Sequence, residues 1–73
     1  MTLDQCRPNQ SCRIIALEGD LDTKMALVHL GFHKNSLVKM LMARPESFII
    51  HIDGSRFAID RALCRHILVD NQL

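Results

Sequence analysis

The sequence contains no tryptophan, no tyrosine and only three phenylalanines in its 73 residues. Proteins that bind polyproline peptides or single-stranded nucleic acids hold these ligands against exposed aromatic side chains. The three phenylalanines, Phe32, Phe48 and Phe57, are instead better placed as core residues. The composition therefore disfavours both classes of ligand.

A strong net charge and a long apolar run are also missing. The formal net charge is +1, and the nearest approach to a basic cluster, Arg56, Arg61 and Arg65, is interrupted by aspartates. Nucleic-acid binding depends on clustered Lys and Arg side chains that displace counterions, so we expect no nucleic-acid partner. The longest apolar runs, Ile14–Leu17 and Phe48–Ile50, are far below the roughly 20 residues that cross a bilayer. We therefore expect no direct insertion into a membrane.

The cysteine count is odd, because Cys6, Cys12 and Cys64 are the only three in the chain. Three thiols cannot form a complete disulfide framework, and the N-terminus shows no basic segment ahead of an apolar one. Together these features indicate a reducing compartment. The prediction is a cytoplasmic protein.

The clearest helix in the sequence spans Asp22–Leu30. Asp20 or Asp22 can accept hydrogen bonds from the free N–H groups of its first turn, and Gly31 suits the left-handed position that ends many helices. Phe32 can then pack back against the helix, as a Schellman ending favours.

Apolar residues of this helix indicate how it is held. Leu21, Met25 and Val28 fall on one side, with Leu27 as a further candidate. A helix this short is marginal in isolation, so we expect its apolar residues to pack on a sheet.

Short apolar runs separated by turn residues predict strands. The strongest signal is Asp53-Gly54, which favours a tight hairpin; the alternative turn centre, Gly54-Ser55, keeps the same apolar face. In this hairpin Ile50 faces Phe57 and Phe48 faces Ile59, while His51 and Arg56 lie on the other face. The predicted strands are Cys12–Glu18, Ser36–Ala43, Phe48–Asp53, Arg56–Asp60 and His66–Asp70.

Five short strands, one short helix and a single helical turn at Arg61–Arg65 predict a mainly β fold. A small closed barrel would also hide the edges of the strands. No linker or repeat divides the sequence, so residues 1–73 are interpreted as one domain.

Residues that could bind a metal or carry out catalysis do not have the usual spacing. Cys6 and Cys12 are too far apart for a zinc knuckle, and Gly31 interrupts the helix between His29 and His33. The only local suggestion of a catalytic nucleophile is Cys64, with His66 or Asp60 beside it. Cysteine is often buried as a small apolar residue, and this explains Cys64 better than catalysis does. We expect no enzyme activity, no dedicated metal site and no cofactor.

An excess of apolar side chains remains after these assignments. Met-rich surfaces suit adaptable protein contacts, although core packing is favoured for each methionine taken alone. The excess favours an interaction protein, and its members are Met25, Leu37, Met40, Leu41, Met42 and Ile49.

The order of turn and packing signals along the chain resembles that of a known family. An opening apolar pair and turn precede the first strand, a Leu-Gly pair and a hydrophobe end the helix, and a closing apolar strand follows a short turn. In this sequence these signals are Leu3, Cys6, Pro8-Asn9, Cys12-Arg13-Ile14, Leu27-Val28-His29-Leu30-Gly31, Phe32, Lys34-Asn35, Phe57-Ala58-Ile59, Cys64, Ile67 and Val69.

This pattern resembles the FeoA family, the small cytosolic proteins of bacterial ferrous-iron uptake. Asn9 and Asn35 stand where the family has glycine, and the loop after Met42 is shorter than usual. The resemblance implies an SH3-like barrel whose partner is FeoB, the ferrous-iron permease of the inner membrane. It implies a cytosolic accessory protein that supports or regulates the permease from its cytosolic side.

Two functions follow as alternatives. In the first, an interaction protein docks on the permease through the helix and the turn after it, with Lys24, His29, Leu30, Gly31 and His33 as the contact residues. In the second, a small metal-binding or metal-sensing protein uses surface histidines and cysteines. The candidate ligands for this second function are His29, His33, His51, His66, Cys6, Cys12 and Cys64.

Overall fold

A computed structural model describes residues 1–71. Gln72 and Leu73, which the predicted domain 1–73 includes, lie outside the described residues. A short 3₁₀ turn at Leu3–Gln5 precedes the first strand. The other elements are β1 (Ser11–Leu17), α1 (Leu21–His29), β2 (Leu37–Ala43), β3 (Ser47–Ile52), β4 (Ser55–Asp60), α2 (Arg61–Cys64) and β5 (Ile67–Asn71).

Within residues 1–71 the five strands form one antiparallel sheet in the order β4-β3-β2-β1-β5. The mainly β, SH3-like class with one short helix is therefore confirmed, but the predicted closure is wrong, because β4 and β5 are not paired. The edge of β5 that a closing pair would need is instead occupied by the N-terminal residues: Thr2 and Leu68 form an isolated antiparallel bridge, and Val69 N–H donates to the Met1 carbonyl at 2.8 Å.

The β3–β4 hairpin forms as predicted. Asp53 and Gly54 have φ angles of 50° and 81°, as the two central residues of a type I′ turn require. Phe48 lies opposite Ile59, Ile50 opposite Phe57, and His51 opposite Arg56. Residues directly opposite each other project from the same face of a sheet, so His51 and Arg56 share the outward face.

The core lies against the inward face of the sheet. Phe57 is partly buried beside it, with its ring centre 6.0 Å from that of Phe32 at an interplanar angle of 78°. This edge-to-face arrangement is one that aromatic rings prefer. The largest fully buried side chains include Leu3, Ile14, Leu27, Phe32, Met40, Phe48, Ile50, Ile52 and Ile67.

Both ends of α1 are capped as predicted. Asp20 accepts a hydrogen bond of 2.8 Å from the Thr23 backbone N–H, and this bond holds the pKa of the Asp20 carboxyl below its usual value. At the other end Phe32 N–H donates to the Leu27 carbonyl at 3.1 Å, and Gly31 N–H donates to the Val28 carbonyl at 3.0 Å. With Gly31 at a φ of 105°, these bonds form a Schellman motif.

One arginine joins the β2–β3 turn to the start of α2. Arg61 Nε donates to the Pro45 carbonyl at 3.0 Å, and Arg61 Nη2 donates to the Arg44 carbonyl at 2.7 Å. Its guanidinium carbon lies 4.3 Å from the centre of the Phe48 ring, within the range of a cation–π contact. Arg61 therefore attaches the outer end of the β2–β3 hairpin to the core.

The two ends of the described chain are hydrogen-bonded to each other. The Met1 amino group donates to the Val69 carbonyl at 3.3 Å, and Val69 N–H donates to the Met1 carbonyl at 2.8 Å. Thr2 and Leu68 form an isolated antiparallel bridge. The N-terminal residues thus lie along β5.

Candidate interaction surface

Helix α1 exposes most of its apolar residues. Leu27 is its one buried residue, whereas Leu21, Met25 and Val28 keep 73%, 45% and 37% of their surface exposed. We call these three residues the α1 stripe. The expectation that the apolar residues of the helix pack on the sheet is wrong for the stripe, whereas Leu27, the further candidate, does lie in the core.

The geometry of the helix explains why the stripe faces away from the core. With 3.6 residues per turn, Leu21, Met25 and Val28 share one side, and Leu27 lies about 120° around the helix axis from them. The Schellman ending couples Leu27 to Phe32, and both side chains are fully buried. Once Leu27 faces inward, the stripe must face outward.

The five predicted contact residues do not all lie on this side. Lys24 and His29 are exposed and flank the stripe, at about 60° and 80° from it around the axis. Leu30, the residue that caps the helix, is exposed on another side, and His33 is exposed beyond the buried Phe32. The five residues are therefore spread around α1 and the turn that follows it rather than forming one flat patch.

Gly31 contributes backbone shape to this surface rather than a side-chain contact. Its φ of 105° is one that residues with a Cβ rarely adopt, yet a Cβ built there would meet no atom within 4 Å. The glycine is therefore required by the turn of the chain and not by a close neighbour.

Sequence reasoning included Met25 in the apolar excess but expected Leu21, Met25 and Val28 to pack on the sheet, so it did not identify them as one exposed stripe. The signal that could have identified them is the helix ending: Leu27 and Phe32 are the apolar pair that a Schellman motif brings together. Of the methionines in the apolar excess, Met40 is fully buried, whereas Met25 and Met42 are exposed.

The three cysteines are free thiols within the core. Burial raises the pKa of the Cys64 thiol to about 12, with Asp4 and Asp60 adding to the rise and Arg61 opposing it. Burial is also the main cause that raises the pKa of the Cys6 thiol, and the nearby Cys12 adds to it. Within residues 1–71, no three or more His, Cys, Asp and Glu side chains are arranged to hold a metal ion.

Alkylation of the folded protein by iodoacetamide at neutral pH should be very slow at Cys6 and Cys64. The thiolate is the reactive form, and a raised pKa keeps both groups protonated while burial blocks access. Mass spectrometry over time should show modification that rises with urea in parallel with global unfolding. Rapid modification of Cys64 in the native protein would contradict its burial.

No helix within residues 1–71 has the length and apolar character needed to cross a membrane. The described part of the chain also shows no pocket. Three of the eight exposed large hydrophobic residues of the described surface, Leu21, Met25 and Val28, lie on one side of α1.

Comparisons with known proteins agree with this architecture. The profile of the FeoA domain family matches residues 1–71. No curated protein matches the chain. Among solved structures, an iron uptake regulatory protein, FeoA, is 23% identical with a TM-score of 0.92, over 99% of this chain and 97% of that one.

Two further structures show how the same fold occurs elsewhere. Stenotrophomonas maltophilia FeoA, solved in complex with zinc and described as a procaryotic SH3 domain protein, is 24% identical with a TM-score of 0.83, over 96% of this chain and 89% of that one. A manganese-dependent transcriptional repressor is 16% identical with a TM-score of 0.88; the match covers 100% of this chain and 41% of the repressor. At these identities the likeness establishes the fold alone.

Proposed function

This chain belongs to the FeoA family, and from that membership we propose that it is an accessory protein of ferrous-iron uptake that docks onto the permease FeoB through α1. The family is involved in ferrous-iron transport, and the Stenotrophomonas maltophilia protein is described as a suggested bacterial ferrous iron transport activating factor. In this proposal the chain acts at the cytoplasmic side of the inner membrane and supports or regulates the permease without catalysing a reaction.

The observation that carries this proposal is the exposure of the α1 stripe. Apolar side chains at positions i, i+4 and i+7 of a helix are the anchors with which helices dock into grooves of partner proteins. Scattered exposed hydrophobic residues are ordinary, whereas contiguous apolar patches mark interaction sites. Leu21, Met25 and Val28 are contiguous on one side of a helix that is already capped at both ends.

The predicted contact residues have distinct roles in this docking. Lys24 and His29 border the stripe and supply polar contacts at its rim, where interfaces are usually polar. Leu30 and His33 extend the surface past the helix end, and Gly31 sets the direction of the chain there. The helix enters the interface with its shape already fixed, which lowers the ordering cost of binding.

Two variants test this docking. Lys24→Glu combined with His33→Glu alters the rim, and Met25→Gln places an amide in the centre of the stripe. Substitutions of exposed residues usually change the free energy of unfolding by under about 0.5 kcal/mol, so both variants should fold. Both should weaken co-purification with the permease and lower ferrous-iron uptake in cells that depend on this chain.

Met42→Gln is the matched control, because Met42 is 48% exposed, close to the 45% of Met25, but lies on β2. It should co-purify and support uptake like the parent protein. Circular dichroism and urea unfolding establish that every variant is folded. Normal co-purification and normal uptake by the folded α1 variants would remove this surface as the docking site.

A further inference from the structure

A line of basic side chains crosses three adjacent strands on the outward face of the sheet. Lys39 of β2 lies opposite His51 of β3, and His51 lies opposite Arg56 of β4. All three residues are exposed, and opposite residues of antiparallel strands project from the same face. We call Lys39, His51 and Arg56 the cationic row.

This arrangement is not explained by the stability of the sheet. Cross-strand pairs stabilise a sheet when their charges are opposite and destabilise it when their charges are alike. None of the three side chains makes a hydrogen bond or ion pair within residues 1–71. Asp53, two positions after His51 in the hairpin turn, is the nearest acidic residue along β3 and β4, and it too makes no ion pair with the row.

The row is bordered by an exposed apolar side chain. Leu37 lies two residues before Lys39 on β2, hence on the same face, and 52% of its surface is exposed. Arg13 of β1 lies opposite Leu37, and its Nη1 donates to the Asn35 carbonyl at 3.4 Å. The surface therefore combines basic groups that have no partner among residues 1–71 with an apolar side chain at one side.

We infer that the cationic row, together with Leu37, docks an acidic segment of a partner protein whose carboxylates contact Lys39 and Arg56. Charge complementarity identifies the chemistry. Two permanent cations without counter-ions among residues 1–71 face solvent, and the ring of His51, which can donate a hydrogen bond, lies between them. Strands are spaced at about 4.8 Å, so Lys39 and Arg56 are about 10 Å apart at the backbone. Their long side chains can reach carboxylates at alternate positions of an extended segment, which are about 7 Å apart.

The size of the row favours a protein segment over other anionic partners. Nucleic-acid binding at useful affinity neutralises roughly 6–10 phosphates, and anionic membranes attract clusters of roughly 4–8 Lys and Arg residues. The row has two permanent charges, which match two carboxylates. An apolar residue beside those carboxylates would contact Leu37.

The row is separate from the α1 surface. Helix α1 reaches the core through Leu27, which packs with residues of the inward face, whereas Lys39, His51 and Arg56 project outward. The inference therefore goes beyond docking on the permease through α1 and does not depend on it. Each surface can fail its test while the other passes.

The test is a titration of the isotopically labelled protein at low salt, followed by amide NMR. The titrant is an end-capped peptide that carries two glutamates and a leucine at alternate positions, separated by serines, so that all three side chains can face the protein. Shifts should concentrate at the cationic row and Leu37, with α1 unaffected, and should weaken as salt is added. The combined variant Lys39→Gln with Arg56→Gln should bind about tenfold more weakly, as expected for the loss of two exposed ion pairs. Arg65→Gln, at an exposed arginine after α2, should bind like the parent.

Several outcomes would overturn the inference. One is the absence of saturable shifts at the row, and another is equal affinity of the parent and the Lys39→Gln, Arg56→Gln variant. The same peptide with glutamine in place of glutamate should not bind, and equal binding of that peptide also contradicts a charge-based site. Row-dependent binding of phosphatidylserine vesicles or of a single-stranded oligonucleotide, without binding of the acidic peptide, would assign the row to a membrane or to nucleic acid instead.

Discussion

Replacement of Phe32 by alanine should remove most of the free energy of unfolding, so that the variant is only marginally stable at room temperature. Phe32 is fully buried, and its backbone N–H completes the ending of α1. Truncation of a buried phenylalanine costs about 3–5 kcal/mol, and a domain this small has a total stability of only about 5 kcal/mol. Urea unfolding followed by circular dichroism should show the loss directly, with no native baseline or a short one.

Phe57→Ala is the matched comparison, because Phe57 packs edge-on against Phe32 but is only partly buried. It should lower the free energy of unfolding by less, about 1–3 kcal/mol, and keep a cooperative transition. Two results would mean that the core is not centred on the end of α1. One is a Phe32→Ala protein that melts close to the parent temperature, and the other is a Phe57→Ala protein that is less stable than Phe32→Ala.

Replacement of Arg61 by alanine should lower the free energy of unfolding by about 1–2 kcal/mol. The change removes two hydrogen bonds from a charged donor to backbone carbonyls and the contact with the Phe48 ring. The carbonyls of Arg44 and Pro45 lie at the exposed outer end of the hairpin, so water can replace the lost donors and limits the loss. Chemical denaturation, with amide exchange around residues 44–48, measures both the global and the local effect.

Arg61→Lys should recover only part of this loss, because a single ammonium cannot donate to two carbonyls with the fixed fork geometry of a guanidinium. Arg65→Ala, four residues later and exposed, should be close to neutral. If Arg61→Ala and Arg65→Ala are equally stable, the contacts of Arg61 contribute nothing beyond an ordinary surface arginine.

Features set by a few neighbouring residues could be predicted from the sequence. Asp53-Gly54 determined the turn, and the turn determined the pairing of Phe48 with Ile59 and the shared face of His51 and Arg56. The end of α1 likewise follows from Gly31. In both cases the backbone conformation that the turn requires is open to few residue types.

Features that depend on distant parts of the chain could not be predicted in this way. The inward side of α1 is set by Leu27, the residue that the Schellman ending joins to the buried Phe32. Composition alone favours the stripe, which has three apolar residues. The pairing of Lys39 with His51 depends on the β2–β3 register, which shifts at a bulge between Met40 and Met42. A bulge adds one residue to one strand, so counting along the sequence does not find it.

The open edge of the sheet shows the same limit. The strand count and the hairpins predicted a closed barrel, but Met1 and Thr2 lie along the edge of β5 that would have paired with β4. The short helix α2 itself was expected, as the helical turn at Arg61–Arg65. The pairing of the N-terminal residues with β5 joins opposite ends of the chain, so local sequence signals do not reveal it.

The hydrogen bonds that join Met1 to Val69 give this architecture a modular character. A polypeptide enters and leaves it at the same place, so a flanking sequence attached at either end does not have to cross the fold or displace one of its strands. Domains with adjacent termini tolerate fusion and insertion for this reason. The manganese-dependent repressor, in which the matching region is 41% of the chain, shows the same fold as one part of a longer protein.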